Sequence, residues 1–138
     1  MAARRRSGAV YIDRSLIQNE AFLALTGKAP QVLLIFFGKR RVEKLSRASK
    51  RGARYRVANN GQIIFTYREA ERDYGLKMGV FRRAIDQLIE VGFLDIAKPG
   101  NGLHRDATLY ALSDRWRRYG QADFERRQRP KGRPWTTL

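Results

Sequence analysis

The chain has 138 residues, enough for one domain with a genuine core and appendages and too few for two domains of comfortable size. It contains no cysteine, which removes disulfides and thiolate metal sites and fits a reducing compartment. Lys and Arg number 29 against 13 Asp and Glu, a net charge of +16, which points to a polyanionic partner because clustered cations displace the counterions condensed on nucleic acid.

The opening "MAARRRSGAVYIDR" is positive but has no apolar stretch behind it, so residues 1–14 read as a basic arm and not as a signal peptide. Ser15 is placed to cap a short helix, "SLIQNEAFLAL", which Gly27 ends. Pro30 falls in the first turn of a second helix, "APQVLLIFFGKRRVEKL", whose first half is apolar almost all round and therefore belongs in a core. Its longest apolar run, Val32 to Phe37, is far too short to cross a bilayer, so the expected protein is cytoplasmic with no membrane partner. A basic connector, residues 39–60, follows. Its start extends the helix, its Ser/Gly-containing remainder is loop, and Asn59-Asn60-Gly61 is a turn.

"QIIFTY" reads as a short strand. Thr66 with Glu69 three residues on is a capping box, which starts a helix at Tyr67 that runs to about Tyr74 and stops at Gly75. The next helix spans Met78 to Val91 and is closed by Gly92. "GFLDIAKPGNGLHRDATLYALSD" alternates as two strands, with Phe93, Leu94 and Ile96 in one, Thr108 to Leu112 in the other, and an extended tip between them. Ser113 caps a last short helix, "DRWRRYG". The tail beyond it has too little apolar periodicity to fold by itself, with Phe124 and Trp135 as its candidate docking groups.

Charge is uneven along this plan: +3 over residues 1–38, +8 over 39–56, −1 over 57–114 and +6 over 115–138. The best-patterned part is nearly neutral, and the excess sits in the connector and the tail. The expected organisation is a basic N-terminal arm (1–14), a domain (15–114) that contains the connector, and a short helix with a basic tail (115–138). The fold class is α+β: a three-helix core with a two- to three-stranded β wing, an N-terminal helix and the C-terminal tail.

At "FTYREAERDYGLKMGVFRRAIDQLIEVGFLDIAKPGNG…TLYAL" the sequence resembles winged helix-turn-helix DNA-binding proteins, especially the small replication- and regulation-associated ones of phages, plasmids and bacteria. The resemblance covers residues 62–112, with the helix at 30–44 as the first helix of the domain. It implies a duplex-DNA partner and a role in transcription regulation or replication control. It implies no catalytic function and no cofactor. It makes residues 78–91 the recognition helix, whose N-terminal half faces the major groove. Two positions depart from the family pattern. Lys77 stands where Ser or Thr often caps the recognition helix, and Gly79 lies in its first turn.

At about 100° per residue, Phe81, Ala84, Ile85 and Leu88 share a narrow arc that faces the core. The outer face carries Gly79, Arg83, Asp86 and Glu90, flanked by Arg82 and Gln87. Arginine and glutamine are the side chains that pair bidentately with guanine and adenine. Arg83 and Gln87 are therefore the candidate base readers, Arg82 a phosphate contact, Lys77 a further DNA-binding candidate, and Asp86 either a cytosine acceptor or the group that orients Arg82 or Arg83. Gly79 either admits a phosphate to the helix start or avoids a clash within the protein. Thr66 and Tyr67 open the preceding helix, where amides commonly meet a phosphate. In the wing (residues 98–107), Lys98, Asn101, His104 and Arg105 lie on a cationic tip suited to the backbone or minor groove. In the connector, Lys50, Arg51 and Arg54 are candidate phosphate contacts, and Tyr55 could stack on a base.

Enzymatic readings fare worse. One histidine, on a loop tip, and no cysteine make a poor nucleophilic site or zinc site. "TGKAP" lacks the upstream glycine of a phosphate loop, since Phe22 stands there. Glu69, Glu71 and Asp73 balance Arg68 and Arg72 on one short helix, although a metal-dependent nuclease is the reading they leave open. The competing binding classes are an RNA- or ribosome-binding module and a protein–protein module. "SLIQNEAFLAL" serves either as a homodimer contact or as a cover for the core.

Overall fold

The computed structural model describes residues 8–44, 55–100 and 107–129. In chain order the elements are α1 (Arg14–Gln18), α2 (Glu20–Leu23), α3 (Ala29–Lys39), β1 (Val42–Lys44), β2 (Tyr55–Val57), α4 (Tyr67–Tyr74), α5 (Met78–Val91), β3 (Leu94–Lys98) and β4 (Leu109–Leu112), then a 3₁₀ turn over Arg115–Arg118. The described residues thus form an α+β fold of five helices and two small antiparallel sheets, compatible with a winged-helix arrangement. No helix among them is long and apolar enough to cross a membrane.

The helix pair α4–α5 follows its local chemistry closely. The Thr66 hydroxyl accepts the Glu69 amide at 3.1 Å, and Gly75, at φ 67°, ends α4. Glu69 does not complete the capping box with its side chain; its carboxylate pairs with the Lys39 ammonium and ties α4 to the end of α3. Lys77 precedes α5 without any side-chain cap, and Gly92, at φ 96°, closes it.

The N-terminal helix differs from expectation. Asn19 is extended and its side chain accepts the Ala21 amide at 2.9 Å, so one expected helix becomes two. A mid-helix Asn competes for backbone amides in just this way. Asp13, not Ser15, caps α1, taking the Ser15 amide at 2.8 Å. Leu16, Ala21 and Leu25 are buried, so the segment covers the core, while Ile17 and Leu23 stay exposed.

The connector is a second departure. Instead of extending α3, the chain turns into strand β1, which pairs with β2 through Val42↔Val57 and Glu43↔Arg56. Asn59 makes the break: its amide donates to the Lys39 carbonyl at 3.0 Å and accepts the Arg41 amide at 2.7 Å, so the end of α3 is satisfied without another helical turn. Asn60 grips Leu112 of β4 from both ends of its amide, at 2.7 and 3.1 Å. "QIIFTY" contributes only a bridge, Ile63↔Tyr110, and not a full strand. The spatial order is therefore Ile63, β4, β3.

The core lies where α3, α5 and this sheet meet. Phe36 stands edge-on to Phe65 and to Tyr110, with ring centres 5.4 and 5.2 Å apart, and Phe65 meets Phe81 at 4.8 Å. Phe93 stacks on Trp116 of the 3₁₀ turn. Ser113 supports that turn by accepting the Arg115 amide at 3.1 Å, although the residue that caps it is Asp114.

The tail is the third departure. Residues 121–129 lie against the domain, held by Phe124 packed edge-on to Tyr119 and by arginine ion pairs to Asp86 and Asp95. Apolar periodicity missed this because charge, not an apolar stripe, does most of the anchoring. Trp135 lies outside the described residues.

Candidate nucleic-acid interface

Helix α5 buries Phe81, Ala84, Ile85 and Leu88, as its spacing predicts, and adds Ile89 and Val91. That fixes its outer side. Lys77 and Arg83 are exposed and Arg82 is half-buried, and none of the three has a hydrogen-bond or ion-pair partner among the described residues. The first turn of α5 holds no acidic residue and no side-chain cap. Cations at the start of a helix oppose its dipole, and the first amides lack partners inside the helix. Such a helix start suits an external anion.

Gly79 sits beneath this cluster. A Cβ built on it meets only the Arg83 guanidinium, at 3.6 Å, an ordinary contact. The described part of the protein therefore does not require glycine there, which leaves close approach by something external as the better-supported of its two explanations.

Two expected base-reading groups are engaged elsewhere. The Gln87 carbonyl oxygen accepts the Thr26 amide at 2.9 Å and the Thr26 hydroxyl at 3.3 Å, and its NH₂ donates to the Thr26 carbonyl at 3.2 Å. Gln87 thus clamps the loop before α3, whose own start has no side-chain cap. Asp86 orients neither Arg82 nor Arg83; it pairs with Arg129 at 3.0 Å. Both residues are thus engaged within the chain. Thr66 spends its hydroxyl as a cap, and Tyr67 is half-buried against the core.

In the β3–β4 hairpin, Lys98 is exposed at the end of β3, and the Gly100 amide donates to the Thr108 hydroxyl at 3.2 Å. Asn101, His104 and Arg105 lie outside the described residues, as do Lys50, Arg51 and Arg54 of the connector. Just before β1, Arg41 is exposed, and across the β1–β2 pair Arg56 bonds Glu43 at 2.8 Å. Arg40 lies over the Phe37 ring at 4.6 Å, and its burial draws its pKa down from the ordinary guanidinium value.

Two of the three carboxylates expected on α4 are occupied, Glu69 by Lys39 and Asp73 by Arg72 at 2.8 Å, while Glu71 is exposed. Sequence reasoning missed Arg115 altogether. Its part-buried guanidinium donates to Asp95 at 2.6 Å and to the carbonyls of Ile89, Leu94 and Glu125 at 2.9, 3.2 and 2.9 Å. It pegs together the end of α5, strand β3 and the returning tail. The available signal was the charge balance, since acids on a near-neutral module need cations from the basic tail. Arg127 supplies another, at 3.1 Å from Asp95.

Comparison with known protein families, curated proteins and solved structures returns no match.

Proposed function

We propose that the chain is a winged-helix protein that binds duplex DNA and acts in transcription regulation or replication control without catalysing a reaction. In this reading α3, α4 and α5 are the three-helix core, α4–Gly75–α5 is the helix-turn-helix, and β3–β4 is the wing. The observation that carries the reading is the cluster of Lys77, Arg82 and Arg83 on the first half of α5, without partners among the described residues, above a glycine that the described packing does not need. Of the acids nearby, Glu69, Asp73 and Asp86 are each paired with another cation and so do not cancel this cluster.

The roles follow from residue type and place in the chain and, for Lys77, Arg83 and Lys98, from exposure. Arg83 reads a base edge, Arg82 and Lys77 hold phosphates, and the wing with Lys98, Asn101, His104 and Arg105 follows the backbone or the minor groove. Lys50, Arg51 and Arg54 add sequence-independent phosphate contacts from the connector.

Selection of bound fragments from a random duplex library tests the proposal, with structured RNA as competitor in the same binding reaction. Recovery of a preferred duplex sequence is the expected result. Preference for structured RNA would make the chain an RNA-binding module, and binding to neither would refute the nucleic-acid reading.

A further inference from the structure

The tail crosses the outer side of α5 at Asp86 and leaves the Lys77–Arg83 half uncovered. Arg129 reaches Asp86 at 3.0 Å, and Arg127 joins Arg115 on Asp95. The Arg115 bond to the Glu125 carbonyl fixes the path of the tail between these pairs. Resting on the DNA-binding reading above, we propose that residues 121–129 are a counter-charge strap: they neutralise Asp86 on the recognition helix and join Arg115 in neutralising Asp95 on the adjoining strand, so that neither of these carboxylates repels the phosphate backbone.

Two observations separate this role from its neighbours. A strap that blocked DNA by imitating it would carry net negative charge, but residues 121–129 hold three arginines against Asp123 and Glu125. A strap that gripped DNA through Arg129 would expose that guanidinium, yet the Arg129 side chain is only 18% accessible and is turned onto Asp86. Its charge acts on the carboxylate first. An uncompensated Asp86 would stand one helical turn from Arg82 and Arg83, well inside the screening length of physiological salt, which is about 8 Å.

The test uses the full chain and one duplex recovered by selection, with affinity measured by fluorescence anisotropy at fixed salt. Arg129→Ala weakens binding about three- to tenfold. Asp86→Asn binds at least as tightly as the unaltered chain, and Asp86→Asn combined with Arg129→Ala restores affinity to within about twofold of Asp86→Asn alone. Arg129→Lys, which keeps the charge, stays near the unaltered affinity; it and the double variant carry the test if Arg129→Ala does not fold. Unchanged or tighter binding by folded Arg129→Ala overturns the proposal. So does weakening that Asp86→Asn fails to rescue, because Arg129 would then touch phosphate itself and the slope of log affinity against log salt would fall by about 0.9. If the unaltered chain binds no duplex, the proposed function falls and takes the strap with it; duplex binding that ignores Arg129 removes the strap alone.

Discussion

Gly79→Ala separates what the fold needs from what a ligand needs. Glycine in a helix costs about 0.5–1 kcal/mol relative to alanine, and Gly79 sits in the first turn, where the lower end of that range applies. The added methyl meets only Arg83, at 3.6 Å, so no clash offsets the gain. The expected result is a stabilisation of about 0.5 kcal/mol, seen as a rise of ~2 °C in the thermal midpoint. The same methyl stands between the helix start and any phosphate that approaches it. Losing one amide hydrogen bond to a charged oxygen costs about 1.5–3 kcal/mol, so duplex affinity drops by roughly tenfold or more. Melting by circular dichroism and binding by anisotropy read the two effects on one preparation. A more stable variant that binds as well as before would refute the idea that α5 offers its first turn to the DNA backbone. A less stable variant would refute the claim that the site is open.

Further consequences are equally direct. Gln87→Ala should cost about 1–2 kcal/mol in urea unfolding, from the lost bonds to Thr26, and leave sequence preference unchanged; a shifted preference would return Gln87 to the groove. Gly92→Ala should cost at least ~3 kcal/mol or abolish folding, because its Cβ would lie 2.5 Å from the Trp116 backbone nitrogen at a φ of 96°; a near-neutral urea midpoint would contradict that packing. Arg115→Ala strands a mostly buried Asp95 with only the half-exposed Arg127 and should cost about 3 kcal/mol, and a loss below ~1 kcal/mol would deny it the role of peg. Arg83→Ala should cost about 1–3 kcal/mol at one base position and relax preference there, whereas an equal loss on every duplex would make Arg83 a phosphate contact.

The parts legible in the sequence are those fixed by neighbours in the chain. Thr66, Gly75 and Gly92 set helix ends through bonds that span at most a few residues, and the spacing of Phe81, Ala84, Ile85 and Leu88 sets which face is buried. Where a polar side chain chooses between local and distant partners, sequence reading goes wrong. Asn19 takes the local choice and breaks a helix, while Asn59 reaches back across the connector and converts an expected helix extension into strand β1.

The candidate interface divides along the same line. Arg82 and Arg83 stay outside because the apolar arc of α5 leaves them nowhere else to go. Asp86 and Gln87 share that helix surface, yet each is claimed by a residue far away in sequence, Arg129 in one case and Thr26 in the other. Outward position on a helical wheel therefore establishes exposure only to the point where the rest of the chain is accounted for. The surplus of tail cations over tail acids was the one sequence-level sign that such distant partners existed. It gave the number of charges available but not the carboxylates they would find, because ion pairing has no periodicity to read.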